Sequence, residues 1–153
     1  MSRAFVKESE GGEEDFSDRP ISPHPNLVTP EGLAHIEATL ATLHQEHAAA
    51  QVAEDRAALA RVARDLRYWA ARRASAQLVP PPPDHSEVRF GSTVTIVRDD
   101  GRRQTWRIVG EDEADPARGT LSHVSPVARA LIGKAVGDVV RAGNSDAEIL
   151  AIG

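Results

Sequence analysis

Four consecutive prolines, Pro80 to Pro83, divide this chain more sharply than any other feature in it. Proline has no amide hydrogen to donate, and its ring clashes with the preceding helical turn, so neither a helix nor a central strand runs through them. The text "LVPPPPDHSE" is therefore read as a stiff, extended, proline-rich linker over residues 78–87, and the fold is sought separately on either side. With 153 residues and an apolar content of 41%, each side holds a small unit with a modest core.

The N-terminal side is helical in pattern. Thr29-Pro30-Glu31 is a helix start: an N-cap, a proline at the first position where no donor is needed, and an acid at the positive end of the helix dipole. Leu33, Ile36, Leu40, Leu43, His47 and Ala50 then follow spacings of 3 and 4, as do Leu59, Val62, Leu66, Trp69, Arg73 and Ala76. The second seam is out of phase with the first by a slip that neither a stutter nor a stammer produces, which places a chain reversal between about residues 50 and 58. Residues 30–77 read as an antiparallel helical hairpin with arms of about 30 Å, a single bent helix being the alternative. Residues 1–29 carry six acids, among them Glu13, Glu14 and Asp15, against Arg3, Lys7 and Arg19, and read as a disordered acidic tail.

Beyond the linker the period changes to two. Val88, Phe90, Val94 and Ile96 alternate with polar residues, "DDG" supplies a turn, and Trp106 and Ile108 alternate on the return. A third strand "TLSHV", a helix over residues 126–132 opened by Ser125-Pro126 and stopped by Gly133, and two strands across an "NSD" turn complete a small antiparallel sheet domain over residues 88–153. The fold class is α+β.

Composition removes several kinds of chemistry. The chain has no cysteine, hence no disulfide, no thiolate metal site and no redox centre, and it suits a reducing cytoplasm. Its N-terminus lacks the apolar core of a signal peptide and no stretch is long enough to span a bilayer, so a cytoplasmic protein with no membrane partner is expected. A net charge of -5 argues against a generally basic surface for duplex nucleic acid. Ser122 and His123 alternate along a strand and point apart, so no triad forms there. His44 and His47 share a helix face, yet His47 lies in the seam, where packing is the better account than metal ligation. The acids of "EDEAD", residues 111–115, read as a solvated charge cluster rather than a cation site.

Two features of the hairpin are more informative. Its first arm carries Glu31, Glu37 and Glu46, whereas the second carries Arg56, Arg61, Arg64, Arg67, Arg72 and Arg73 against Asp65. Ion pairing across the arms and a basic stripe for an RNA or DNA backbone both fit this asymmetry. At the predicted tip stand Glu54 and Asp55, which fit either a cap for the second arm or a pair of carboxylates lent to a Mg²⁺ held elsewhere.

The runs "VRFGSTVTIV", "WRIVGEDEAD" and "SPVARALIGKAVGD", with "LVTPEGL" and "SAQLV" at the hairpin ends, resemble the Gre family of bacterial transcript-cleavage elongation factors (GreA/GreB) over residues 27–152. The resemblance implies an antiparallel coiled coil followed by an FKBP-like domain. It further implies that the domain docks at the rim of the RNA polymerase secondary channel while the coiled coil enters. In the family two tip acids help position the second Mg²⁺ of the polymerase, so the factor is a cofactor for hydrolysis rather than an enzyme and needs no cofactor of its own beyond that shared ion. A monomer when free, with indirect contact to nascent RNA, is expected on the same basis.

This sequence departs from the family at the tip. The motif G-D-L-x-E-N is absent and each arm is shorter by roughly two turns, about 10 Å of reach. A catalytic group displaced that far stops acting, so Glu54 and Asp55 match the family's tip acids by residue type alone. The expected protein is a Gre-type paralogue that binds RNA polymerase and competes with or modulates other Gre factors. True stimulation of cleavage is the alternative, followed by an Rnk-type regulator of nucleoside diphosphate kinase or a generic interaction module. Ser125, Pro126 and Arg129 of the "SP-AR" signature are the candidate docking residues. Prolyl isomerase activity, which an FKBP-like fold raises, is disfavoured because Phe90 and Trp106 are the only aromatics after the hairpin.

Overall fold

The computed structural model of the chain describes residues 17–153. The acidic run at residues 8–15 lies outside the described residues. The predicted tail differs from the structure at its other end: Leu27–Val28 forms strand β1, and Asn26, Val28 and Thr29 are buried.

Helix α1 (Pro30–Ala53) begins as its sequence dictates, with the Thr29 hydroxyl accepting from the Gly32 amide at 2.9 Å. Helix α2 (Arg56–Ser75) follows after a two-residue turn, so the hairpin forms and the bent helix does not. Their 24 and 20 residues correspond to about 36 and 30 Å. The seam positions Ile36, Leu43, Ala50 and Val62 are buried, while Arg73, which the heptad also includes, is exposed. The Arg73 side chain instead pairs with Glu37 across the arms at 3.1 Å. Strand β2 (Gln77–Leu78) pairs in parallel with β1, which ties the two ends of the hairpin together.

The prolines adopt no regular structure. Val88 and Phe90, expected in the first strand, lie in a loop that turns at Gly91, where φ is +90°. The sheet comprises β3 (Thr93–Arg98), β4 (Arg103–Val109), β5 (Thr120–Ser122), β6 (Val139–Ala142) and β7 (Ser145–Ile152), in the order β5-β4-β3-β7-β6. Three of its four pairings are antiparallel, but β5 runs parallel to β4. The purely antiparallel expectation is corrected here. The ten residues between β4 and β5, with a 3-10 turn at Pro116–Arg118, bring the chain back to the same end of the sheet before β5 begins. The β6–β7 turn is Gly143-Asn144 rather than "NSD".

Helix α3 (Pro126–Leu131) buries Ala128 and Leu131 in a core made with Val94, Ile96, Ile108, Val140 and Ile149. The alternating burial of β6 and β7 shows one face on this core and the other in solvent. Residues 17–22 with 39–71 form one compact unit and residues 23–38 with 72–153 another. Among the described residues no helix is long and apolar enough to cross a membrane.

Candidate functional site

The hairpin tip is a capped turn. Glu54 takes a left-handed conformation, φ +56°, and its amide donates to Gln51 O, which ends α1. Asp55 then opens α2: its Oδ1 accepts from the Ala58 amide at 3.0 Å, so the two acids sit side by side at the tip and one is engaged as an N-cap.

The six arginines of α2 do not form one stripe. Arg56, Arg61, Arg64 and Arg67 span about 140° of the helix on the side opposite buried Val62. Arg72 is instead buried, 1% exposed, and Arg73 pairs with Glu37. Along the outward face, Arg67 pairs with Asp18, Arg19 pairs with Asp65 at 3.3 Å, and the Arg19 guanidinium lies 3.9 Å from the centre of the Tyr68 ring. Each such exposed contact contributes about 0–1 kcal/mol.

Ser125 is the N-cap of α3, accepting from the Ala128 amide at 3.3 Å, and Pro126 occupies its first turn. Both residues therefore have a local structural task. Arg129 is exposed and faces away from the core that takes Ala128 and Leu131. Ser122 accepts from the Val124 amide, whereas His123 packs edge-on against Phe90 at 5.4 Å, with its Nε2 buried and unpartnered. Burial pushes the His123 imidazole below its ordinary pKa of 6.5, opposed by Glu111 and reinforced by His24 and Arg129. His44 is exposed and His47 half-buried, and among the described residues no three potential metal-ligating side chains gather.

A densely connected polar group among the described residues is one that reading the sequence missed. The "EDEAD" acids are not a solvated cluster: each of Glu111, Asp112, Glu113 and Asp115 has a specific partner. Asp112 accepts from Arg72 Nε at 2.6 Å, Glu111 lies 3.9 Å from the same guanidinium, and Arg72 Nη2 donates to Asn26 Oδ1 at 2.7 Å. Asn26 in return donates to the Arg72 carbonyl at 2.8 Å. Glu113 accepts from the amides of Thr29 and Gly110, at 3.0 and 3.1 Å, and from the Thr29 hydroxyl. Asp115 caps the 3-10 turn. A Cβ at Gly32 would stand 2.1 Å from the Glu113 carboxyl, and one at Gly110 would stand 2.3 Å from the Leu27 carbonyl. The "TPEG" and "GEDE" motifs are therefore two halves of one joint. The signal in the sequence was a pair of glycines beside acids at both motifs, but nothing there gives their meeting.

A cleft of about 360 Å³ beside this joint is lined by Glu31, His35, Arg107, Asp115, Arg118 and Thr120, with Arg107 on Glu31 at 3.1 Å and Arg118 on Asp115 at 3.6 Å. The backbone hydrogen bond at its own position, then Arg107, hold the Glu31 carboxyl below its ordinary value. Its charges satisfy one another rather than converge on a ligand.

Residues 83–152 match the family described as "Transcription elongation factor, GreA/GreB, C-term". Over this domain the chain is similar to the Gre factors. Transcription elongation factor GreA of Helicobacter pylori (strain ATCC 700392 / 26695) is 45% identical over 85 residues, covering 52% of this chain and 52% of that protein. GreB of Neisseria meningitidis serogroup B is 41% identical over 95 residues, covering 58% of each. The chain thus spans about half the length of the curated relatives it matches. Among solved structures it is similar to GreA factor homolog 1 (Gfh1) of Thermus thermophilus, with 19% identity and a TM-score of 0.42, over 85% of this chain and 99% of that one. The Gre domain contains α3 with its "SP-AR" residues and the acidic half of the joint; the arginine half comes from the hairpin.

Proposed function

We propose that this Gre-family chain is a transcription elongation regulator acting in the cytoplasm on RNA polymerase. Its FKBP-like Gre domain docks at the secondary channel and its helical hairpin inserts, in competition with cleavage-stimulating factors. Arg129, beside Ser125 and Pro126, carries the docking contact. The chain is not an enzyme, and any Mg²⁺ involved belongs to the polymerase.

The observation that carries the regulatory reading is the tip. A factor that supplies carboxylates to a metal must present them free and at full reach. Here Asp55 is engaged by the Ala58 amide and Glu54 is held in a tight left-handed turn. Arms of 24 and 20 residues are also short for delivering such a group deep into a channel.

The test is cleavage of RNA in a stalled, backtracked complex of the cognate polymerase, with wild type, Glu54→Ala/Asp55→Ala, and an authentic Gre factor added as competitor. The expected outcome is no acceleration by the wild type and inhibition of the authentic factor. Acceleration by the wild type that the double variant loses would establish the cleavage-factor reading instead. Arg129→Glu should abolish the inhibition while leaving the melting temperature unchanged.

A further inference from the structure

The docking and tip residues leave one ordered segment without a role, residues 17–22, which belong to the same compact unit as the outer part of α2. This segment meets the helix with alternating charge: Asp18 on Arg67, and Arg19 on Asp65, the one acid of α2. Arg19 also covers the face of Tyr68, whose ring packs edge-on against Trp69 at 5.2 Å.

We propose that residues 17–22 are a displaceable strap that occupies the outward arginine face of α2 and is expelled when a phosphate backbone binds there. The Asp18 carboxylate stands where a phosphate oxygen would, and the Arg19 guanidinium lies on the aromatic face where a base would stack. The strap is built to release. The side chains of Asp18 and Arg67 remain 72% and 52% exposed, so water and competing anions reach the contact. An open cleft of about 120 Å³ lies beside Ile21, Tyr68 and Ala71, and Ile21, the one aliphatic side chain of the segment, stays half exposed, so its burial adds little to the attachment. On the same face nearer the tip, Arg56 and Arg61 are exposed, offering a polyanion its first contact before it requires Arg67.

The free full-length protein suffices for the test, which is independent of polymerase binding. Affinity for a fluorescent single-stranded RNA 12-mer is measured for wild type and for Asp18→Ala/Arg19→Ala, a pair that leaves the net charge unchanged. Removal of the strap contacts should tighten RNA binding about three- to tenfold at low salt with the melting temperature unaltered. The gain should vanish in an Arg67→Gln background. Because the chain has no cysteine, Pro20→Cys admits a single dye whose quenching by the neighbouring aromatics reports the strap directly. Saturating RNA should raise its emission with the same midpoint as binding. Equal affinities, a gain that persists without Arg67, a dye indifferent to bound RNA, or no RNA binding by either protein would each overturn the proposal.

Discussion

Glu54 occupies a backbone conformation that L side chains resist, at φ +56°. Relief of that strain makes Glu54→Gly stabilising by up to about 1 kcal/mol, readable as a rise in denaturation midpoint, whereas Asp55→Ala removes the cap of α2 and should cost about 1 kcal/mol. A cap at the tip was one of the two readings that Glu54 and Asp55 allowed, and in the structure Asp55 takes it; the left-handed turn was not legible, because Glu is a poor signal for it. His123 gives the pH dependence at this scale. Its folded pKa is lowered by burial, so between that value and 6.5 the unfolded chain binds more protons. Its contribution is complete above pH 6.5 and declines as pH falls toward the folded value. Melting temperature should therefore drop on acidification below about pH 6.5, and His123→Gln should flatten that part of the profile.

Among the elements, although the two-residue alternation ran on through Val88 and Phe90, which lie outside the strand, the helices and the antiparallel strand pairs were legible from period together with cap and turn residues. The parallel β5 was not, because a three-residue strand, Thr120–Ser122, carries no directional pattern and its sense is set by the length of the preceding loop. Nor was Arg72 separable from its neighbours by composition; its own burial and its contacts with Asp112, whose side chain is 10% exposed, and Asn26 distinguish it from an arginine of a solvent face. Arg72→Ala leaves that carboxylate and Asn26 without their cation and should destabilise the chain by about 3 kcal/mol or more in chemical denaturation. Gly32→Ala drives a methyl into the Glu113 carboxyl and displaces it from the Thr29 and Gly110 amides, for a loss of about 1–3 kcal/mol.

For the molecule as a whole, the proline run does not separate two self-sufficient parts. Residues 23–38 cluster with 72–153, and buried Asn26, Val28 and Ile36 belong to that unit. A fragment comprising residues 79–153 should consequently melt well below the full chain and bind hydrophobic dyes, while a fragment beginning at residue 23 should retain the full-length melting temperature to within a few degrees. The change in composition at the prolines was legible, but the return of the N-terminal segment across them was not, since parallel pairing of Leu27–Val28 with Gln77–Leu78 rests on two residues each. The bond from the Thr29 amide to Glu113 spans 84 residues of chain. During synthesis at about 5–20 residues per second, the first turn of α1 leaves the ribosome several seconds before the carboxylate that completes its cap exists. The hairpin can acquire its helices early, but the unit containing its base closes late, and a nascent chain arrested before residue 113 holds an exposed and unfinished end.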